Sequence, residues 1–300
     1  MAQTQAQSPV GAHQETNGKM SNNKVKITLT DLNDDLSPVT FEIDKPTDLI
    51  QAKISSTNDF YERPLLDIVG SITPADSVFL DVGANIGNHT LFMAAKTRAK
   101  VLSFEPNKDN FGRLIKNIEL SKMTGSVEAF NVAVGKQAGV VRSIFSSQKN
   151  TGGAKVQSTN KDDELGVPLI KIDDFLKKIK LKFTGKLIIK IDVEGMEVEV
   201  IEGMTSTIEE YQPIIVCEAS SDKNIVLLRN IPMKRGYIVA ASFFKSPTFL
   251  MVHKDNASSV FPHILEHSWS SARSYVSYCE LSKMKVRAQK AIADAAEILK

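Results

Sequence analysis

Short apolar runs alternate with stretches of helical periodicity from residue 77 onward, and this alternation predicts the core of the fold. The runs at 77–82, 99–104, 127–134, 187–191 and 213–218 read as buried strands, with helices near 86–97, 108–121 and 196–210. Strands that alternate with helices at this interval form a parallel sheet covered on both faces, so an α/β, doubly wound architecture is expected. After Gly135 the rhythm changes. Gly139–Phe145 predicts an antiparallel addition, a polar loop runs through Asn150-Thr151-Gly152-Gly153, and Phe249-Leu250-Met251-Val252 predicts a late strand closing the sheet. That polar loop lies above the strand ends, and the segments 146–166 and 219–248 read as loops whose composition suits many polar ligands.

The flanking segments follow other patterns. Val25–Leu29 and Val39–Ile43 alternate apolar and polar positions around Asn33-Asp34-Asp35, which predicts a hairpin with one wet face. Helical periodicity through Leu65, Leu66, Ile68 and Val69 ends at Thr73-Pro74-Ala75-Asp76. Residues 1–23 carry few large apolar side chains and are expected to form a disordered tail. From Ile264 to Lys300, Leu281, Met284, Ala288, Ala291, Ala295 and Ile298 fall on one helical face, with Lys283, Lys285, Arg287 and Lys290 elsewhere. Such a helix docks on its own domain, or serves self-association or a peripheral membrane contact. The expected organisation is therefore a tail at 1–23, an accessory hairpin region at 24–57, a catalytic domain at 58–262 and a helical C-terminal extension at 263–300.

Composition narrows the partners. A chain of 300 residues with 42% hydrophobic and 24% charged content suits one large domain plus extensions. A formal net charge of +2 supplies no argument for a nucleic-acid or anionic-membrane partner. Cys217 and Cys279 form neither a disulfide framework nor a zinc spacing. With no apolar run near the ~20 residues that span a bilayer and no signal-peptide pattern at the start, no transmembrane segment is expected, and cytoplasmic residence is the default.

The chemistry concentrates at strand ends. Val78–Val82 runs into Gly83-Ala84-Asn85-Ile86-Gly87, a turn that opens a helix. An acid two residues before the first glycine, and a second glycine four positions on, departs from the Gly-x-Gly-x-x-Gly that seats a pyrophosphate. The pattern favours a cofactor with a cationic amino acid end, and S-adenosylmethionine fits. Asp81 serves equally as turn chemistry that caps the helix. Glu105, in Phe104-Glu105-Pro106-Asn107, ends the next strand where a carboxylate can accept both ribose hydroxyls, or stands in a capped strand-to-helix junction. In Lys190-Ile191-Asp192-Val193-Glu194-Gly195, strand geometry turns Lys190 and Asp192 to one side, so Lys190 contacts Asp192, Glu194 or a ligand, as catalytic group or as local ion pair. Glu218 ends the fifth strand, where it joins Asp192 in a charged pocket or caps a loop.

With these segments the chain resembles the FkbM family of class I S-adenosylmethionine-dependent methyltransferases. Phe60-Tyr61-Glu62, Asp81–Gly87, Phe104-Glu105-Pro106, Asn131–Gly135, Ile172-Asp173-Asp174, Lys190–Gly195 and Gly236-Tyr237 carry the resemblance over roughly 58–240. It implies a mostly parallel seven-stranded, Rossmann-like sheet and methyl transfer to a hydroxyl of a sugar, glycolipid or polyketide-like small molecule. It implies a cofactor seat of Asp81, Gly83, Ala84, Asn85, Gly87, Glu105, Pro106, Asn131 and Ala133, with Asp81 and the Gly83 turn at the methionine end and Glu105 at the ribose. It assigns no base. His89 stands where an aromatic residue is more usual.

An alcohol must lose its proton on methylation, and Asp192 is the expected base or orienting group, with Lys190 tuning its charge and Glu194 or Glu218 holding acceptor hydroxyls. His89 is the other candidate base, or a packing histidine. Asp192, Glu194 and Glu218 could hold magnesium or calcium, but nothing in their spacing demands a metal, and none is expected. A nicotinamide-dependent oxidoreductase and a non-catalytic cofactor-binding scaffold are the rival readings. Nucleic-acid methylation stands last, for want of a basic surface and of an Asn/Asp-Pro-Pro-aromatic motif after the fourth strand.

Overall fold

The computed structural model describes residues 10–14, 24–31, 36–145, 154–158, 166–180, 182–219, 222–244 and 247–273. The chain begins with β1 (Val10–Gln14), β2 (Val25–Asp31), β3 (Val39–Ile43), α1 (Leu49–Thr57) and α2 (Arg63–Ser71). It then alternates through β4 (Val78–Val82), α3 (Asn88–Thr97), β5 (Lys100–Phe104), α4 (Lys108–Leu120) and β6 (Val127–Phe130). β7 (Ala133–Val134), β8 (Gly139–Phe145), β9 (Ala154–Ser158) and β10 (Val167–Ile170) follow, then α5 (Ile172–Ile179), β11 (Leu187–Ile191), α6 (Glu197–Glu202) and α7 (Thr205–Tyr211). The described chain ends with β12 (Ile214–Glu218), α8 (Asp222–Met233), β13 (Tyr237–Phe243), β14 (Thr248–His253) and α9 (Ala257–Arg273).

Both faces of the central strands are apolar, and each face meets a helical layer. Phe79, Val101, Ile188 and Val216 pack with residues of α2, α3, α4 and α9, while Leu80, Leu102, Ile189 and Ile215 pack with residues of α5, α6 and α7. The seven-stranded sheet has the order β13-β14-β12-β11-β4-β5-β6. β6, β5, β4, β11 and β12 are parallel, and β14 lies antiparallel between β12 and β13. The expected doubly wound, mostly parallel sheet is present. Its strand order reverses beside β4: the chain moves outward through β5 and β6, then returns to lay β11 on the other flank. That switch point leaves a crevice beyond the carboxyl ends of β4 and β11.

The N-terminal hairpin shares the main core, since Ile27, Leu29, Val39 and Phe41 pack in one cluster with Phe92, Leu114 and Ile118. Polar ties fix it to α4. Arg113 donates from Nε and Nη2 to the two Asp44 oxygens at 2.7 and 3.0 Å, and Asn117 Oδ1 accepts from the Glu42 amide at 2.8 Å. Two features here differ from expectation. Val10–Gln14, expected to be disordered, pairs antiparallel with β2. An edge strand offers unpaired backbone donors and acceptors to any sequence, so low apolar content does not prevent pairing there. The accessory region also contains α1, begun by the buried Asp48, whose side chain accepts from the Gln51 amide.

Other boundaries shift for local reasons. The run 127–134 is two strands in two sheets: β6 pairs β5, whereas β7 pairs β10 in a separate sheet of order β7-β10-β8-β9. The break falls at Asn131, whose Nδ2 donates to the carbonyls of Glu105 and Pro106 at 2.8 and 3.2 Å. The helix expected at 196–210 is interrupted at Gly203, where a Cβ would sit 2.1 Å from the Gly135 carbonyl oxygen. Most of 219–248, read as loop, is α8 and β13. α9 packs Val260 and Ile264 into the main core. The loop at 150–153, the hairpin turn at 33–35 and the face from Leu281 to Ile298 lie outside the described residues.

Candidate active site

A cavity of about 950 Å³ occupies the crevice at the switch point. Its walls come from the ends of four core strands: Val82–Asn85 after β4, Phe104–Pro106 after β5, Lys190 and Asp192–Glu194 around the end of β11, and Glu218 of β12. Val132–Val134, the segment Asp59–Pro64, residues of α1 and the start of α3 add to it. Parallel strands end together, which is why residues from distant parts of the chain meet here.

Strand register builds the floor. Asp81 stands opposite Lys190 on β11 and Ser103 on β5, all three on the same sheet row. Asp81 is fully buried; its Oδ2 accepts from Thr90 Oγ1 at 2.6 Å and its Oδ1 lies 3.4 Å from Lys190 Nζ. Lys190 also lies 3.3 Å from Asp192 Oδ2 and donates to the Gly83 carbonyl oxygen at 3.0 Å. Burial pulls the Lys190 ammonium toward neutrality, but Asp192, Asp81 and Glu62 outweigh it and raise its pKa above the ordinary value. Lys190 is therefore a fixed positive charge that holds two carboxylates, not a proton acceptor.

The glycine turn is shaped by protein contacts. Gly83 has φ 84°, and a Cβ there would lie 1.8 Å from the Asp192 carbonyl oxygen, so the ends of β4 and β11 can approach only with glycine between them. The amides of Gly83 and Ala84 both donate to the Phe104 carbonyl, at 2.9 and 3.0 Å. They are thus committed within the protein and form no phosphate cradle. The Asn85 amide donates at 2.8 Å to Glu105 Oε2, and the Asn107 amide donates at 2.8 Å to Glu105 Oε1. Each carboxylate oxygen keeps acceptor capacity for a further donor. Burial drives the Glu105 pKa up to about 7 despite those two amides and Lys190.

On the other side of Lys190 the carboxyls crowd. Burial would raise the Asp192 pKa, but Lys190, a hydrogen bond from Glu218 and the nearby His89 hold it below the ordinary carboxylate value. Glu218 moves the opposite way: burial and the charge of Asp192 push it up to about 9. At neutral pH Glu218 is protonated and donates to an ionised Asp192. His89 Nε2 is buried 3.3 Å from Glu62 Oε2, with no aligned hydrogen-bond partner among the described residues. Asn88 exchanges 2.9 Å bonds with the amide and carbonyl of Tyr61, fixing the 59–64 segment over the site. Burial, then Glu62, Glu218 and Asp192, drive the Tyr61 phenol up to about 12, so it stays protonated.

Of the residues expected at a site, Gly83, Ala84, Asn85, Glu105, Pro106, Ala133, Lys190, Asp192 and Glu194 line the cavity together with Glu218 and His89. Asp81, Gly87 and Asn131 do not. Asp81 lies beneath Lys190, Gly87 caps α3 with its α-carbon toward Leu114, and the Asn131 amide is taken up by the carbonyls of Glu105 and Pro106. Asp81 is fully buried beneath Lys190, so its carboxylate does not face the cavity. Tyr61, Glu62 and Asn88 had no role assigned from sequence; Phe60-Tyr61-Glu62 was part of the family resemblance, and that was the available signal. Among the described residues, no group of three or more His, Cys, Asp and Glu side chains is arranged to hold a metal ion, and no helix is long and apolar enough to cross a membrane.

The family model described as Methyltransferase FkbM domain matches residues 81–239. Hexuronic acid methyltransferase AglP of Haloferax volcanii is 30% identical over 155 residues, which are 52% of this chain and 61% of that protein. Methyltransferase 1 of Beauveria bassiana is 26% identical over 189 residues, covering 56% of this chain and 74% of the relative. The crystal structure of methyltransferase FkbM from Methylobacillus flagellatus aligns with a TM-score of 0.45 and 18% identity over 59% of this chain and 44% of that one.

Proposed function

The chain belongs to the FkbM methyltransferase family, and on that premise we propose that it is an S-adenosylmethionine-dependent O-methyltransferase acting on a hydroxyl of a sugar, glycolipid or polyketide-like small molecule. The observation that carries the reading is the pair of carboxylates on either side of the Gly83 turn, Glu105 held by two backbone amides and Asp192 held ionised by Lys190. The donor set suits this cofactor. Glu105 offers acceptor oxygens for two ribose hydroxyls, Asn85 Oδ1 is a buried acceptor without a hydrogen bond among the described residues, and Phe104, Val132 and Val134 give apolar walls for a base.

S-adenosylmethionine supplies an electrophilic methyl group when bound. Gly83, Ala84, Asn85, Glu105, Pro106 and Ala133 form its seat in this reading. Asp81 acts through Lys190, Gly87 by shaping the turn and Asn131 by fixing the Glu105–Pro106 backbone. Asp192 receives the acceptor hydroxyl proton or orients that hydroxyl, because it is the ionised carboxylate at the cavity wall. Lys190 keeps Asp192 ionised, and Glu194 and Glu218 stand where they can bind other acceptor hydroxyls. Much of the acceleration comes from alignment, since in-line displacement needs the acceptor oxygen held in register with the methyl group. Residence in the cytoplasm is part of this proposal, as is docking of the C-terminal helix.

Incubation with methyl-labelled S-adenosylmethionine and a panel of polyhydroxylated acceptors tests the reading. Label should appear as a methyl ether; hydride transfer to or from a nicotinamide, or no transfer to any acceptor, contradicts it.

A further inference from the structure

We infer that the acceptor is a hydroxyl compound that also carries a cationic amine, and that carboxylate-bearing acceptors are rejected; the inference rests on the methyl-transfer reading above. Next to the main cavity lies a pit of about 10 Å³ lined by Glu62, His89, Lys190, Asp192, Glu218 and Thr248, among others. A space of that size admits one water-sized group. An ammonium nitrogen meets that limit and a carboxylate exceeds it.

The charges around the pit point the same way. Glu62, Asp192 and Glu218 all face it. The single charge of Lys190 is divided between Asp81 and Asp192, at 3.4 and 3.3 Å. Arg63 lines the main cavity but is turned to Asp59 and Asp67, at 3.3 and 2.6 Å, and Lys53 is exposed on α1. Glu218 answers the crowding by keeping its proton up to about pH 9. The buried His89 Nε2, without a hydrogen bond among the described residues, supplies a polar atom at the same place. No residue of the Gly83–Asn85 turn lines the pit, nor does Glu105, although Glu62, His89, Lys190, Asp192 and Glu218 line the main cavity as well.

An acceptor ammonium in the pit takes over from the Glu218 proton as countercharge, and that proton passes to solvent. A uronate in the same position would meet the charges of Glu62 and Asp192, a like-charge contact that discriminates against it. Specificity at this site thus comes from repulsion of acids as well as attraction of amines.

Calorimetry at pH 7 with D-glucosamine, D-glucose and D-glucuronate as matched probes tests the inference, with S-adenosylhomocysteine titrated separately. Glucosamine should bind at least about tenfold more tightly than glucose, the equivalent of one modest charge contact, with glucuronate weakest. Its binding should release a proton, read from the heat in two buffers of different ionisation enthalpy. Glu218→Gln should abolish the proton release and reduce the preference, and Glu62→Gln is the second variant should the first fail to fold. Glucuronate binding as tightly as glucosamine, equal binding of glucosamine and glucose, or no binding by any probe overturns the inference. If S-adenosylhomocysteine does not bind while the amine preference persists, the methyl-transfer reading fails and the cation selectivity stands.

Discussion

Lys190 Nζ donates to the Gly83 carbonyl oxygen at 3.0 Å, so the lysine that holds Asp192 also ties the end of β11 to the glycine turn after β4. Two segments that lie more than a hundred residues apart, each recognisable alone, are one structural unit. Replacing the ammonium leaves Asp81 as a fully buried, uncompensated charge. Lys190→Met should therefore cost about 3–5 kcal/mol in denaturant unfolding, and adding Asp81→Asn should restore part of that loss.

Asp192 carries the proposed proton chemistry without belonging to the cofactor seat. Asp192→Asn should lower the rate of methyl transfer by roughly 10²–10⁴, the range for loss of a positioned acid–base group. S-adenosylhomocysteine affinity should stay within about threefold, because the lost interaction acts on the reacting hydroxyl. Full turnover in this variant would remove Asp192 from the mechanism.

Glu105 titrates within the working range. Its folded value, about 7, lies above the ordinary 4.5, so between these pH values the folded state holds a proton that the unfolded chain has released. Ionising Glu105 thus costs stability as pH rises through that window, while the ionised form is the better acceptor for ribose hydroxyls. S-adenosylhomocysteine affinity should rise with pH by up to about tenfold per unit below pH 7 and then level off. Calorimetry across pH should show this slope in the native protein and its absence in Glu105→Gln.

Gly83 and Gly112 make a matched pair. A methyl group at Gly83 meets the Asp192 carbonyl at 1.8 Å in a left-handed backbone, whereas at Gly112, inside α4, nothing lies within 4 Å. Gly83→Ala should lower the melting temperature and abolish cofactor binding. Gly112→Ala should stabilise the protein by roughly 0.5–1 kcal/mol through helix propensity alone.

Legibility in the sequence followed burial. β4, β5, β11 and β12 were readable because strands covered on both faces are continuous apolar runs. β13 was not, since Val239, Ala240 and Ala241 are only partly buried and the strand is defined by its pairing with β14. The split of 127–134 was hidden because Asn131 ends β6 through its contacts with carbonyls of another strand's end. For the site, residue type and strand-end position brought Glu105, Lys190 and Asp192 to one cavity. The burial of Asp81 beneath Lys190 was not readable, because it depends on the β4–β11 register, which local patterning does not contain. The Glu62–His89 contact, at 3.3 Å between the segment before α2 and the start of α3, was invisible for the same reason.

The central claim is that Glu105 and the Gly83 turn seat S-adenosylmethionine. Calorimetric titration of S-adenosylhomocysteine into the native protein and Glu105→Ala, with NAD as control, tests it most directly. The account predicts micromolar binding to the native protein, lost in the variant, and no NAD heat; NAD binding without S-adenosylhomocysteine binding, or equal S-adenosylhomocysteine affinity in both proteins, would contradict it.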